Sequence, residues 1–154
     1  MTQSNFSNAV YQILICWALS ASPLSAEAEG SKPQSDLLFQ QLAENESLCD
    51  RRFLEVSSRK VRQVDADLPA KSYRVIEHQA RFNHRASEPV LETAVFQLSR
   101  NGRYHILVVT PSPTNQTTQL KWIDIPARKG QSQINRLVRL NAENSQTMHS
   151  CVRD

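Results

Sequence analysis

The dipeptide Asn101-Gly102 lies between two stretches of alternating apolar character, Val90 to Ser99 and Arg103 to Thr110. A two-residue hairpin of type I′ needs positive φ at both central positions, which Asn and Gly tolerate. The dipeptide therefore predicts an antiparallel pair together with its register. Ser99 falls opposite Tyr104, Leu98 opposite His105 and Phe96 opposite Leu107. One face then carries Ala94, Phe96, Leu98, His105, Leu107 and Val109, which reads as a core face. Pro111 and Pro113 end the hairpin.

The same period of two begins upstream at Lys71. Tyr73, Val75 and Glu77 alternate with Arg74, Ile76 and His78, and the strand runs on through Phe82. Thr118 to Ile125 and Ile134 to Leu140 read as further strands, joined by a turn at Lys129-Gly130, and Thr147 to Val152 closes the sheet. Before Lys71 the spacing reads as helical. Ser35 offers an N-cap with Asp36 in the first turn, and Leu37, Leu38 and Leu42 follow as an apolar stripe. A second helical stretch is expected from Asp50 to Gln63, with Phe53, Leu54, Val61 and Val64 on one side. Leu68-Pro69 would end it, because proline disfavours helix in the residue before it. The expected fold class is α+β, with N-terminal helices packed on a mainly antiparallel sheet.

The chain is 154 residues long, and its first 26 read as a secretory signal. Val10 to Leu19 is apolar apart from Gln12, small residues follow, and cleavage is expected after Ala26 or, reading Ala26-Glu27-Ala28, after Ala28. No Lys or Arg precedes Lys32, so only the amino terminus supplies the positive charge of such a signal. The apolar run is well short of the ~20 residues that span a bilayer. No stable membrane span is therefore expected after cleavage. Cys16 follows Ile15, which is not the small residue a lipidation signal wants. Residues 27–34 read as a flexible leader and 35–154 as a single domain. The expected location is periplasmic or secreted.

Export leaves Cys49 and Cys151 as a lone pair in an oxidising compartment, and one disulfide is the expected use. Metal binding fits poorly, because no pair of histidines lies near either cysteine. Net charge is +3, and 13 of the 18 cations are Arg. No basic run interleaved with aromatic residues points to nucleic acid. With 3 glycines there is no phosphate-cradling loop. His78, His84, His105 and His149 are scattered, and no serine lies in a nucleophile elbow. No catalytic residue, metal ligand or cofactor is expected, and the chain does not read as an enzyme. The residues singled out for binding are Arg74, Arg81, His84, Arg85, Arg103 and Tyr104, a basic group near one strand and one hairpin. They read first as a solvated face that guards a sheet edge, and more sharply as an anion or glycan surface. Asn45-Glu46-Ser47 and Asn115-Gln116-Thr117 fit the glycosylation sequon, which matters only on a eukaryotic route.

The segment Lys71-Ser72-Tyr73-Arg74-Val75-Ile76-Glu77-His78-Gln79-Ala80 resembles the S-x-Y-R-V-L-x-H-x-A stretch of the CsiV-type peptidoglycan-binding proteins of proteobacteria. Leu91 to Ile106, with its Gly102-Arg103-Tyr104, is similar to their next strand pair. The resemblance covers roughly residues 54–110. It implies a periplasmic, non-enzymatic accessory protein that contacts peptidoglycan or a cell-wall synthesis protein. A second expectation, from another class, is a secreted binding or structural subunit of a surface assembly that uses an exposed strand edge.

Overall fold

The structure is a computed structural model that describes residues 38–85, 87–114, 116–141 and 143–151. These residues all belong to one compact unit, Lys32–Asp154. The expected signal, the leader and the cap at Ser35 lie outside the described residues.

Eight antiparallel strands form a closed barrel in which each strand pairs with its sequence neighbours. They are β1 Gln40–Ala43, β2 Arg52–Val56, β3 Lys60–Asp65, β4 Leu68–Asn83, β5 Val90–Arg100, β6 Arg103–Pro111, β7 Thr117–Ile125 and β8 Ser145–Ser150. One helix, α1 (Gln131–Leu140), lies between β7 and β8. The α+β expectation is therefore corrected to a barrel. Where helices were expected, the apolar residues alternate along strands. Leu42 points inward from β1, Leu54 and Val56 from β2, and Val61 from β3. Asp50 to Gln63 is broken by a tight turn after Val56, where Ser57 Oγ donates to the carbonyl of Lys60 at 2.9 Å. Leu68-Pro69 begins a strand rather than ending a helix.

The reverse error falls at the expected strand Ile134 to Leu140, which is α1. Ile134, Leu137 and Val138 recur at helical spacing and pack on Ile106, Val108 and Ile125 of the outer wall. The helix is placed by a latch from the sheet. Gln97, 1% exposed, donates through Nε2 to the Lys129 carbonyl (3.0 Å) and accepts from the Lys129 N–H at Oε1 (2.7 Å). The central hairpin has the register that its dipeptide dictates, with Leu98 opposite His105 and Phe96 opposite Leu107. Asn101 and Gly102 take φ of 50° and 73°.

Alternation sends one set of side chains into the barrel. Leu42, Val56, Val61, Ala94, Phe96, Leu98, Leu107 and Val109 are all at most 1% exposed and fill its middle and one end. The outer wall carries polar and charged residues such as the Glu55–Arg62 cross-strand pair (3.8 Å), Gln119 and Lys121. A barrel that spans a membrane has the opposite arrangement, apolar outside and polar inside, and strands of roughly 9–11 residues. Here β1 has 4 residues and β2 has 5. No helix among the described residues is long and apolar enough to cross a membrane.

The barrel closes where β1 meets β8, through Leu42 opposite Ser150 and Ala43 opposite His149. The Cys49–Cys151 disulfide reinforces this short seam, with Cα atoms 5.6 Å apart. Cys49 follows a 3₁₀ turn, Glu46–Leu48, after β1, and Cys151 follows β8. Gln41 binds both cysteines. Its carbonyl accepts from the Cys151 N–H at 2.7 Å, and its side chain donates to the Cys49 carbonyl at 3.0 Å. The bridge therefore joins two loops at the seam.

Strand stagger leaves one irregularity. β4 pairs with β3 from Leu68 to Arg74 and with β5 from Arg74 to Asn83. The Val75 N–H to Arg59 carbonyl bond (3.0 Å) is the last on the β3 side. Beyond it, among the described residues, that edge of β4 has no strand partner.

Candidate functional site

The filled half of the barrel gives way to a cavity at the end where β1 runs into β2 and β7 into β8. Its volume is about 430 Å³. Leu54, Tyr73, Leu107, Leu120, Trp122 and Met148 form its inner wall and come from five strands, with Leu120 and Trp122 both on β7. Glu44, Arg52, Gln63, Asn144 and Gln146 stand around the opening. Arg52 is held there by an ion pair with Asp65 at 3.0 Å. Eight-stranded barrels are at the size where the interior is either packed with side chains or holds one small ligand. This barrel does the first at one end and leaves room for the second at the other.

An aromatic cluster fixes one side of the cavity. Tyr73 meets Trp122 edge-on, with ring centroids 5.0 Å apart, and meets His105 edge-on at 5.4 Å. His105 and Trp122 are 5.5 Å apart. The cluster is tied from outside the cavity. His105 Nδ1 lies 2.7 Å from Asp124 Oδ1, and the Arg100 guanidinium sits 5.6 Å from the Tyr73 ring centroid. Edge-on pairs are the favoured geometry for aromatic quadrupoles, so the rings hold one another in place along this wall. Trp122 remains 36% exposed. It is a large apolar ring facing solvent in a cavity, which is where a ligand gains most from burial.

The residues singled out from sequence do not form one site. Arg74 and Arg81 are exposed on β4, and His84 and Arg85 follow in the turn beyond it. Arg103 is the exposed first residue of β6, beside the Asn101-Gly102 turn at the other end of the barrel. Tyr104 faces outward and packs with the residues beneath α1. Arg74 does join a shallow recess of about 360 Å³ with Arg59, Lys60 and Arg100, because β3 begins and β5 ends beside it. No local motif announces either this recess or the cavity. Their residues come together only through strand register. Among the described residues, no group of three or more His, Cys, Asp or Glu gathers as a metal site.

Fold and site together define a small up-and-down β-barrel with an apolar chamber open at one end. Comparison with family models, with curated proteins and with solved structures returns no match to this chain.

Proposed function

We propose that this is an exported, non-enzymatic binding protein whose barrel holds a small, mainly apolar molecule against Trp122. The cavity of about 430 Å³ carries this reading, because it lies in the ~300–1,000 Å³ range of ligand pockets. Its inner wall is apolar and aromatic, while polar groups stand only at the opening. That suits a ligand with an apolar body and a polar end left near Arg52 and Gln63. Trp122 is the only tryptophan besides Trp17, so cleavage of the signal would leave it as the sole intrinsic reporter. The test is titration of the oxidised protein with 1-anilinonaphthalene-8-sulfonate. Saturable enhancement of probe emission is expected, together with quenching of Trp122. Trp122→Ala should weaken binding by about tenfold, the loss of one buried aromatic contact. A wild-type protein with no saturable binding, or a probe indifferent to Trp122→Ala, refutes the reading.

A second reading, contact with peptidoglycan or a cell-wall synthesis protein in the periplasm, is favoured by one observation besides the resemblance. Arg74, Arg81 and Arg85 follow one another along β4 and its turn, and Arg74 also lines the recess with Arg59, Lys60 and Arg100. Such a surface would attract the carboxylates of the wall, with an affinity that salt screens. Co-sedimentation with purified sacculi at low salt, lost at high salt, is the expected outcome. No retention at low salt counts against it.

A further inference from the structure

The free edge of β4 carries a pattern that neither reading uses. β4 bulges between Val75 and Glu77, where Ile76 is extra, and the next irregularity, between Arg81 and Phe82, puts its extra residue on β5. From Glu77 to Asn83 the strand itself is therefore regular. An unpaired regular strand exposes a row of N–H and C=O groups that template another strand. Within this stretch Glu77 is the sole carboxylate and Arg81 the sole guanidinium. Neither is in an ion pair among the described residues.

We propose that two copies of this chain pair antiparallel through these edges, about a two-fold axis at Gln79. In an antiparallel ladder, facing residues must both aim their backbone groups at the partner strand or both aim them away. A two-fold axis therefore passes through a residue, not between two. An axis through Glu77 sets carboxylate against carboxylate, and one through Arg81 sets guanidinium against guanidinium; directly opposed like charges destabilise a sheet. The axis through Gln79 puts Glu77 of each copy opposite Arg81 of the other, so the complementary pair forms twice. It also sets Gln79 opposite Gln79 and His78 opposite Ala80. Gln79, His78 and Arg81 are exposed. Gln79 Oε1 accepts from Gln131 Nε2 of α1 at 2.7 Å and His78 stacks on Phe96, so the charged pair Glu77 and Arg81, not these two side chains, sets the register. An edge arginine guards against pairing when it meets another cation. Here the symmetric register gives it an acid. The contact is isologous and closes on itself, which yields a dimer and not a fibre.

Short edge contacts fall in the weak class of interface, below roughly 1,200 Å², so the assay is sedimentation equilibrium of the oxidised protein up to about 1 mM. The wild type dimerises. Arg81→Glu sets carboxylates against carboxylates and raises the dimer dissociation constant on the order of tenfold, and adding Glu77→Arg restores it. Directly opposed Cβ atoms lie about 4.5–5.5 Å apart in such a ladder, so Gln79→Cys forms an inter-chain disulfide under mild oxidation. Gln119→Cys, on the outer wall of β7, does not. Probe binding in the cavity is unchanged by Arg81→Glu, which separates this interface from the ligand reading. A monomer at the highest concentration overturns the proposal, and an edge occupied by the chain's own residues 1–37 would give that result. A dimer indifferent to Arg81→Glu, or a Gln79→Cys variant that links no faster than Gln119→Cys, also overturns it.

Discussion

Removing the disulfide is the perturbation whose cost follows most directly from the structure. Cys49 and Cys151 are separated by 102 residues, so the bridge encloses nearly the whole barrel. In the chain-entropy model, closing a loop of that length stabilises by roughly 4.7 kcal/mol at 25 °C. The native side adds little to offset a loss, because the adjoining seam holds β1 to β8 through two residue pairs. The double variant Cys49→Ala/Cys151→Ala should therefore lose about 4–5 kcal/mol, against a usual domain stability of about 5–15 kcal/mol. For a domain near this size, the melting temperature falls by roughly 15–20 °C. Urea unfolding followed by Trp122 emission measures the loss. The urea dependence should also steepen, since the unbridged chain exposes more surface when it unfolds. A loss under about 1 kcal/mol at unchanged slope would show that the seam holds without the bridge and refute the entropic account.

Two further substitutions test local parts of the argument by the same unfolding assay. Gly102 has φ of +73° and nothing within 4 Å of a Cβ built there, so Gly102→Ala pays only the conformational cost. The expected loss is about 1–2 kcal/mol, and a neutral result would mean that the hairpin tolerates another turn type. Gln97→Leu keeps the side-chain volume but strips both partners from the Lys129 backbone. A loss of roughly 1–3 kcal/mol is expected, with α1 loosening first in amide exchange; uniform exchange across the molecule would contradict the latch.

The hairpin of β5 and β6 was legible because its turn chemistry is local and its strands are long enough to show the period. The expected strand from Lys71 through Phe82 falls within β4 for the same reason. Shorter strands were not legible. β1, β2 and β3 each turn few residues inward, and Phe53, Leu54, Val61 and Val64 read as one helical stripe when no Gly or Pro marks the turn at Ser57-Ser58. In α1 the ambiguity ran the other way. Ile134, Val138 and the intervening arginines look strand-like in composition, and only the contacts of Ile134, Leu137 and Val138 with the outer wall decide it. The cavity left no trace in the sequence, since Leu54, Tyr73, Trp122 and Met148 lie on four strands far apart along the chain. The lone pair of cysteines was legible from count and compartment alone, without any knowledge of what the bridge closes.

Placing the closing contact between the first and last strands ties completion of the molecule to the arrival of its C-terminus. Until residues near 150 emerge, β1 has only β2 beside it and β7 presents an open flank. Pairings this remote in sequence form slowly, so the incomplete chain spends time as a sheet with two sticky ends. Loss of the residues from His149 onward would therefore act as a topological defect, leaving a curled ribbon where the intact polypeptide makes a ring.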